Sequence, residues 1–476
     1  MGNRMGNDEL RWLTAGELAG RIRRGELSAR DALRSHWNRI DELNPAINAV
    51  IYEDRELAWA EAERADARQV AGERLGPLHG VPLTNKDTND TAGMPNTWGS
   101  PLLKDVVPEQ DSLIVGRMRA AGAIMTGKNN VPEFAAGSHT FNEVHGTTVN
   151  PYDVGRSAGG SSGGAGAAIA AGIQPVGDGS DMGGSLRIPA SFCNVLGLRP
   201  SLGRVPTPGA NSWMWLGRTG PMAREVTDLA LMLSVMSGPD AAYPASIQES
   251  GVDFQVGLRR GIKGLRIGWA PRLGLDMPIE PEVIEVAERS LAVFADAGAI
   301  VEEAAPDLSE ADYVFRQTRA FDFEFGWGEL VRSNPDQVKP EVIENVAAGT
   351  DQTIADVHEL IRARTRLEQR TREYFDRYDL WLTPATQLLP FPAEERWPTE
   401  IDGHRMGDYL DWMRSACVVS AMSTPALSVP AGFSKSGLPV GVQLVARQGA
   451  DALLLRAAYA YEERTRWAQM HPRLGS

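Results

Sequence analysis

An α/β fold is predicted by three observations. Short apolar runs stand at residues 81–83, 123–125 and 173–176; a helical pattern lies between the first two at 112–121; and Gly/Ser/Asn/Asp-rich loops punctuate the changes from one to the other. The flanking elements follow in order. Thr14-Ala-Gly-Glu17 is a capping box that opens a helix, and after Ser28 the residues Leu33, Trp37 and Ile40 recur at helical spacing. A helix starts near Thr227 and runs to about Met236, followed by a Pro/Gly/Ser-rich stretch to Gly251. Residues 280–375 are charged and helix-patterned, suited to a lid or a flanking layer. In the tail, Ala426-Leu-Ser-Val-Pro430 and Val440-Gly-Val-Gln-Leu-Val445 flank Ser434-Lys-Ser-Gly437 and predict a hairpin.

Composition removes several function classes. The chain has 476 residues, 48 Lys+Arg against 62 Asp+Glu for a net charge of −14, and 42% hydrophobic residues. This is the make-up of a globular protein, and its acidity, without basic runs, argues against nucleic acid or an anionic membrane as partner. The longest run of small apolar residues, 165–173, is far short of the ~20 that span a bilayer. Two cysteines, Cys193 and Cys417, form no framework, and the first residues lack the apolar stretch of a secretory leader. A cytoplasmic location is expected. Length alone suggests roughly three domains of about 150 residues.

Some motifs fail on inspection. Gly122-Ala-Ile-Met-Thr-Gly-Lys128 has phosphate-loop spacing, but Asn129 follows where a Ser or Thr must hold Mg²⁺, and its apolar interior reads as a strand. Gly177-Asp-Gly179 misses a dinucleotide fingerprint because Met182 occupies the third glycine position. The seven histidines show no ligand spacing, so no metal and no cofactor is expected. Gly159-Gly-Ser161-Ser-Gly163 fits a nucleophile elbow, which keeps an α/β-hydrolase esterase open as a rival, although the preceding stretch 150–157 reads as a turn rather than an apolar strand. Ser161 and Ser162 also stand where they would cap the Ala-rich helix from Gly163.

Glycine is concentrated: thirteen of the 49 glycines fall in residues 155–203. Three segments there and just upstream can present polar groups: Gly80-Val-Pro-Leu-Thr-Asn-Lys86, Gly155-Arg-Ser-Ala-Gly-Gly-Ser161-Ser162-Gly-Gly164, and Gly177-Asp-Gly-Ser-Asp181-Met182-Gly183-Gly184-Ser185-Leu-Arg187. They offer Ser and Lys without His. A lysine is a base only when neutral, which requires burial or cationic neighbours to depress its pKa from ~10.4. Amides around Gly183 and Gly184, free of Cβ atoms, suit an oxyanion hole beside Ser185.

These three segments resemble the amidase signature family, serine hydrolases with a Ser, cis-Ser, Lys triad. Further similarity lies in Ala120 to Phe134, Asn150-Pro-Tyr-Asp153, Gly197-Leu-Arg-Pro-Ser201, and Thr424-Pro-Ala-Leu-Ser-Val-Pro430 with Gly437-Leu-Pro-Val-Gly-Val-Gln443. The resemblance implies Ser185 as nucleophile, Ser161, after a cis peptide, as proton relay, and Lys86 as base. It makes Met182, Gly183 and Gly184 oxyanion-hole amides, and Ser162, Asp181 and Arg187 hydrogen-bonding supports. It also implies one large α/β domain spanning residues 1–476, with a mixed central sheet covered by helices on both sides: a signature core at about 76–205, a variable helical region at about 240–400, and C-terminal strands and a helix at about 420–468. One departure stands out. Ser423 occupies a position where family members commonly carry glycine.

For the substrate, Trp213-Met-Trp215 either rims an apolar pocket or belongs to a surface loop that folds its aromatics onto the core. The implied activity is hydrolysis of hydrophobic or aryl amides, extending to aryl esters and carbamates (urethanes), since all three pass through a tetrahedral oxyanion. A glutamine-hydrolysing component of an amidotransferase is the alternative. The expected partner is a small-molecule amide or carbamate, and the expected assembly a monomer or homodimer.

Overall fold

The computed structural model describes residues 10–209, 211 and 213–474. Two sheets organise the chain. The smaller has the order β1-β3-β2, with β1 (Val50–Glu53) antiparallel and β2 (Pro82–Lys86) parallel to β3 (Ile124–Asn129). The larger has eight strands: β4 (Val176–Asp181), β5 (Leu196–Arg199), β6 (Arg218–Ala223), β7 (Arg266–Trp269), β8 (Ile300–Glu303), β9 (Leu380–Pro384), β10 (Ala426–Phe433) and β11 (Pro439–Ala446). Their order is β8-β7-β9-β11-β10-β5-β6-β4. The β7 pairs with β8 and β9 are parallel and the other five antiparallel, so the sheet is mixed.

Both faces of this sheet are covered, as side-chain alternation along its strands requires. Leu427 and Val429 of β10 and Val442 and Leu444 of β11 join one core with the helices Val226–Met236 and Asp451–Thr465. Ala426 and Val445 join the other, with Ile188 and Phe192 of Arg187–Phe192, Val314 and Phe315 of Ala311–Ser333, and Arg414–Ser420.

Several local expectations hold for the reasons given. The Thr14 capping box is formed, with Thr14 and Glu17 bonding reciprocally. Ser28 caps Ala29–Ile47, and β10 and β11 form the hairpin, closed by Ser434 N donating to Leu438 O at 2.9 Å. The apolar interior of the phosphate-loop look-alike is strand β3, with Lys128 buried and donating to Asn89 O at 2.6 Å.

Three expectations need correction. The strand at 173–176 begins only at Val176: Pro175 has no N–H to give, and the strand continues through Gly177 and Gly179, which lie close under other side chains. Residues 150–157 are not all turn; Asp153–Ser157 pairs with Val149–Asn150 in a two-stranded ribbon outside the central sheet. The region 280–375 is a flanking helical layer, yet it also supplies β8, the edge strand. Among the described residues no helix is long and apolar enough to cross a membrane.

Candidate active site

The two sheets meet where β2 runs beside β4. Side chains join them: Gln174 Oε1 accepts from Thr84 N at 2.9 Å, and the Asp178 carboxylate accepts from Lys86 N at 3.3 Å. This pins the end of β2, and with it Lys86, whose side chain is fully buried. Lys86 Nζ lies 2.8 Å from Ser161 Oγ, 2.9 Å from Ser162 Oγ and 2.9 Å from Ser180 Oγ. Ser161 follows a cis peptide bond to Gly160, in the turn that precedes helix Gly163–Ala170. Neither serine hydroxyl caps that helix; both are turned to the amine instead. Burial pushes the Lys86 amine down from its ordinary value to about 7, against the opposing pull of Asp178 and Asp181. The amine is thereby suited to take a proton from a hydroxyl near neutral pH.

β4 ends at Asp181, and its carboxylate organises the next turn. It accepts from Gly184 N at 2.9 Å, Leu186 N at 3.2 Å and Arg187 Nε and Nη2 at 3.0 Å each. Arg187 also reaches Gln443 Oε1 at 2.7 Å and Ser420 Oγ at 2.6 Å, and Arg199 lies 3.6 Å from Asp181 on another side. Burial acts to raise the Asp181 carboxyl, but Arg187 and Arg199 hold it well below the usual carboxylate range. Gly184 takes a positive φ of 108° to close the turn. Ser185 is tied from behind, its carbonyl accepting from Ser162 N at 3.2 Å.

The turn alters the expected set of oxyanion donors. The Gly184 amide is engaged by Asp181, whereas the amides of Met182, Gly183 and Ser185 have no hydrogen-bond partner among the described residues. The same is true of Ser185 Oγ. Ser161, Ser180, Met182 and Ser185 line one cavity of about 490 Å³, which places the serine hydroxyls and the free Met182 and Ser185 amides around a single space, with the Lys86 amine behind it against Ser161 and Ser180. That arrangement can perform acyl transfer.

Of the two courses open to Trp213 and Trp215, rimming the cavity is taken by neither indole. Trp213 is 82% exposed, and Trp215 is half-buried against the core beneath the Arg364 guanidinium, 3.7 Å from the ring centroid; neither lines the cavity, though Met214 between them does. The aromatic wall comes from Trp98, Phe134, Phe323, Phe325 and Trp327. The last three belong to helix Ala311–Ser333, in a region too charged for its periodicity to single out a cavity-facing stripe. Ser180 was a readable signal: on β4 it shares a face with Asp178, two residues away. Ser423 bonds Glu368 of helix Ile354–Phe375 through both N and Oγ, and is not among the cavity-lining residues.

Known proteins resemble the chain along nearly its whole length. The sequence profile of the family described as Amidase matches residues 31–455. The chain belongs to the amidase signature family. As a member of it, the enzyme hydrolyses amides. It is 36% identical over 473 residues to an acylamidase of Rhodococcus erythropolis, covering 98% of each chain. It is also 36% identical over 495 residues to a glutamyl-tRNA(Gln) amidotransferase subunit of Moorella thermoacetica, covering 98% of this chain and 99% of that one. The crystal structure of a bacterial aryl acylamidase of the amidase signature family superposes with a TM-score of 0.91 at 28% identity, covering 97% of this chain and 98% of that one. The amidase fold leaves no place for a nucleophile elbow at Ser161, because the strand before it, Asp153–Ser157, lies in the peripheral ribbon.

Proposed function

We propose that this amidase cleaves hydrophobic or aryl amides through an acyl-enzyme on Ser185. The observation that carries the reading is the buried Lys86 amine, 2.8 Å from Ser161 Oγ at the floor of an aromatic-walled cavity that Ser185 also lines. Neutral Lys86 takes the Ser161 proton as Ser161 takes that of Ser185, and Ser185 Oγ adds to the substrate carbonyl carbon. The negative charge that develops on the carbonyl oxygen faces the amides of Met182, Gly183 and Ser185. On collapse, Ser161 gives a proton to the departing amine and regains one from Lys86, which is neutral again as the C–N bond breaks. Water, activated by the same pair, then releases the acid. The Ser161 to Ser185 contact closes as substrate docks, as catalytic hydrogen bonds commonly do. Aryl esters and aryl carbamates present the same carbonyl and enter the same path.

The alternative, release of ammonia from glutamine, is favoured by the similarity to the Moorella amidotransferase protein. Against it stands the aromatic wall of Trp98, Phe134, Phe323, Phe325 and Trp327, which suits an aryl arm better than the carboxamide and carboxylate of glutamine. A panel of anilides, aryl carbamates, aryl esters and glutamine, with kcat/KM measured for each, separates the readings: anilides are expected to lead and glutamine to trail. Ser185→Ala is expected to abolish labelling by a fluorophosphonate, and a label that persists on Ser161 overturns the assignment.

A further inference from the structure

The same cavity holds a carboxylate that the acyl-transfer chemistry does not use. Asp322, on helix Ala311–Ser333, lines it and is 6% exposed. Its Oδ2 has no hydrogen-bond partner, and its Oδ1 has only Asn211 Nδ2 at 3.5 Å, the outer limit of such a bond. A carboxylate can accept about four hydrogen bonds, so this one is far from satisfied. Arg319, one turn earlier, forms no ion pair with it among the described residues. Its guanidinium is spent on Tyr409 Oη at 2.7 Å, Asn345 Oδ1 at 3.1 Å and Met182 Sδ at 3.0 Å, and stacks over Phe323 at 4.2 Å. Arg218, the other guanidinium on the cavity, donates from Nε to Trp215 O and from Nη1 to Pro200 O and forms no ion pair with Asp322 among the described residues, while its Nη2 has no hydrogen-bond partner.

We infer that Asp322 forms a subsite for a protonated amino group, so that the preferred substrates are amides whose aryl or alkyl arm ends in a primary amine. The inference rests on the aryl-amide reading above and specifies it. A buried carboxylate with open acceptor sites gains most from a cationic donor. Phe325 and Trp327 line the same cavity, and aromatic rings attract cations. Burial raises the Asp322 carboxyl to about 7, and an ammonium docked against it favours the ionised form.

The test compares two acetanilides of equal size, one bearing a para-aminomethyl group and the other a para-ethyl group, at pH 8. The wild-type enzyme is expected to favour the amine at least tenfold in kcat/KM, through KM. Asp322→Asn and Asp322→Leu are expected to bring that ratio close to one. A wild-type ratio near one, or a ratio unchanged in the variants, overturns the inference. If the variants do not fold, inhibition of the wild-type enzyme decides. Benzylamine is expected to compete at least tenfold more tightly than ethylbenzene, and equal inhibition constants overturn the subsite. Should neither anilide be turned over, the aryl-amide reading fails, while the inhibition comparison against any amide that is hydrolysed still tests Asp322.

Discussion

Lys86 sets a quantitative expectation for the pH dependence of the amidase. With its amine brought to about 7 by burial, about 1% is neutral at pH 5, about half at pH 7 and nearly all at pH 9. The neutral form is the base, so kcat/KM for a neutral anilide is expected to climb about tenfold per pH unit below 7, bend near 7 and level off by pH 9, roughly 100-fold above its value at pH 5. Lys86→Arg, which cannot shed its proton in this range, is expected to lose about 10²- to 10⁴-fold with no recovery at high pH. Stability gives a second readout. The folded-state pKa lies below that of the unfolded chain, so the unfolded state holds more protons between about 7 and 10.5 and wild-type stability rises with pH in that window. Relative to Lys86→Met, the wild type is expected to gain on the order of 2 kcal/mol between pH 7 and pH 9 in urea unfolding. A rate profile that is flat from pH 6 to 10, or that still climbs tenfold per unit past pH 9, refutes the buried neutral base.

Four other substitutions probe the frame around it. Arg187→Ala leaves the fully buried Asp181 without its bidentate partner and is expected to destabilise the fold by about 3–5 kcal/mol, read as a lowered urea midpoint. Trp327→Ala removes a ring that packs 4.6 Å from Phe134 and 5.3 Å from Trp98, and is expected to raise KM for aryl amides roughly tenfold, whereas Trp213→Ala, exposed and off the cavity, is expected to leave it unchanged. Gly179→Ala sets a Cβ 2.7 Å from Ser162 Oγ and 2.6 Å from Leu186 Cδ2; displacement of Ser162 from Lys86 is expected to lower kcat by at least tenfold while circular dichroism retains the native secondary structure.

Much of the site was legible in the sequence because its chemistry is carried by short segments whose composition is unusual. Lys86 stands in a Gly/Pro-bounded strand, and the two serine turns hold a dense run of glycine; the structure brings these segments together around one amine. The capping box at Thr14 and the hairpin at 434–437 were legible for the same reason, since each is decided within a few residues. The cavity wall was not. Trp213 and Trp215 drew notice as a local aromatic cluster, but which side of a loop a ring faces depends on what packs behind it. For Trp215 that is Arg364, distant in sequence. Phe323, Phe325 and Trp327 were hidden within a long charged helix whose neighbours across the cavity, Trp98 and Phe134, come from the other sheet's loops.

Strand β4 explains why the glycine-rich stretch reads so strongly and yet was misjudged in detail. Its Asp178 and Ser180, two residues apart and so on one face, meet the backbone N–H and the Nζ of Lys86. Asp181, the next residue and on the opposite face, turns to Arg187 and Arg199. One strand thus contacts the buried Lys86 on one side and a buried ion pair on the other, and glycines at 177 and 179 leave room for both. Gly179 in particular lies against Ser162 and Leu186, so its lack of a side chain decides how closely the serine turn approaches the amine. The Asp181 carboxylate then draws in the Gly184 amide, which shifts the free donors to Met182, Gly183 and Ser185. Spacing alone cannot reveal that shift, because it depends on where the Asp181 carboxylate is held, and that depends on Arg187 and Arg199, held in turn by Gln443 and by Ser420. The set of free amides around Ser185 is therefore fixed partly from the far C-terminal strand β11 and the helix Arg414–Ser420, well over 200 residues along the chain.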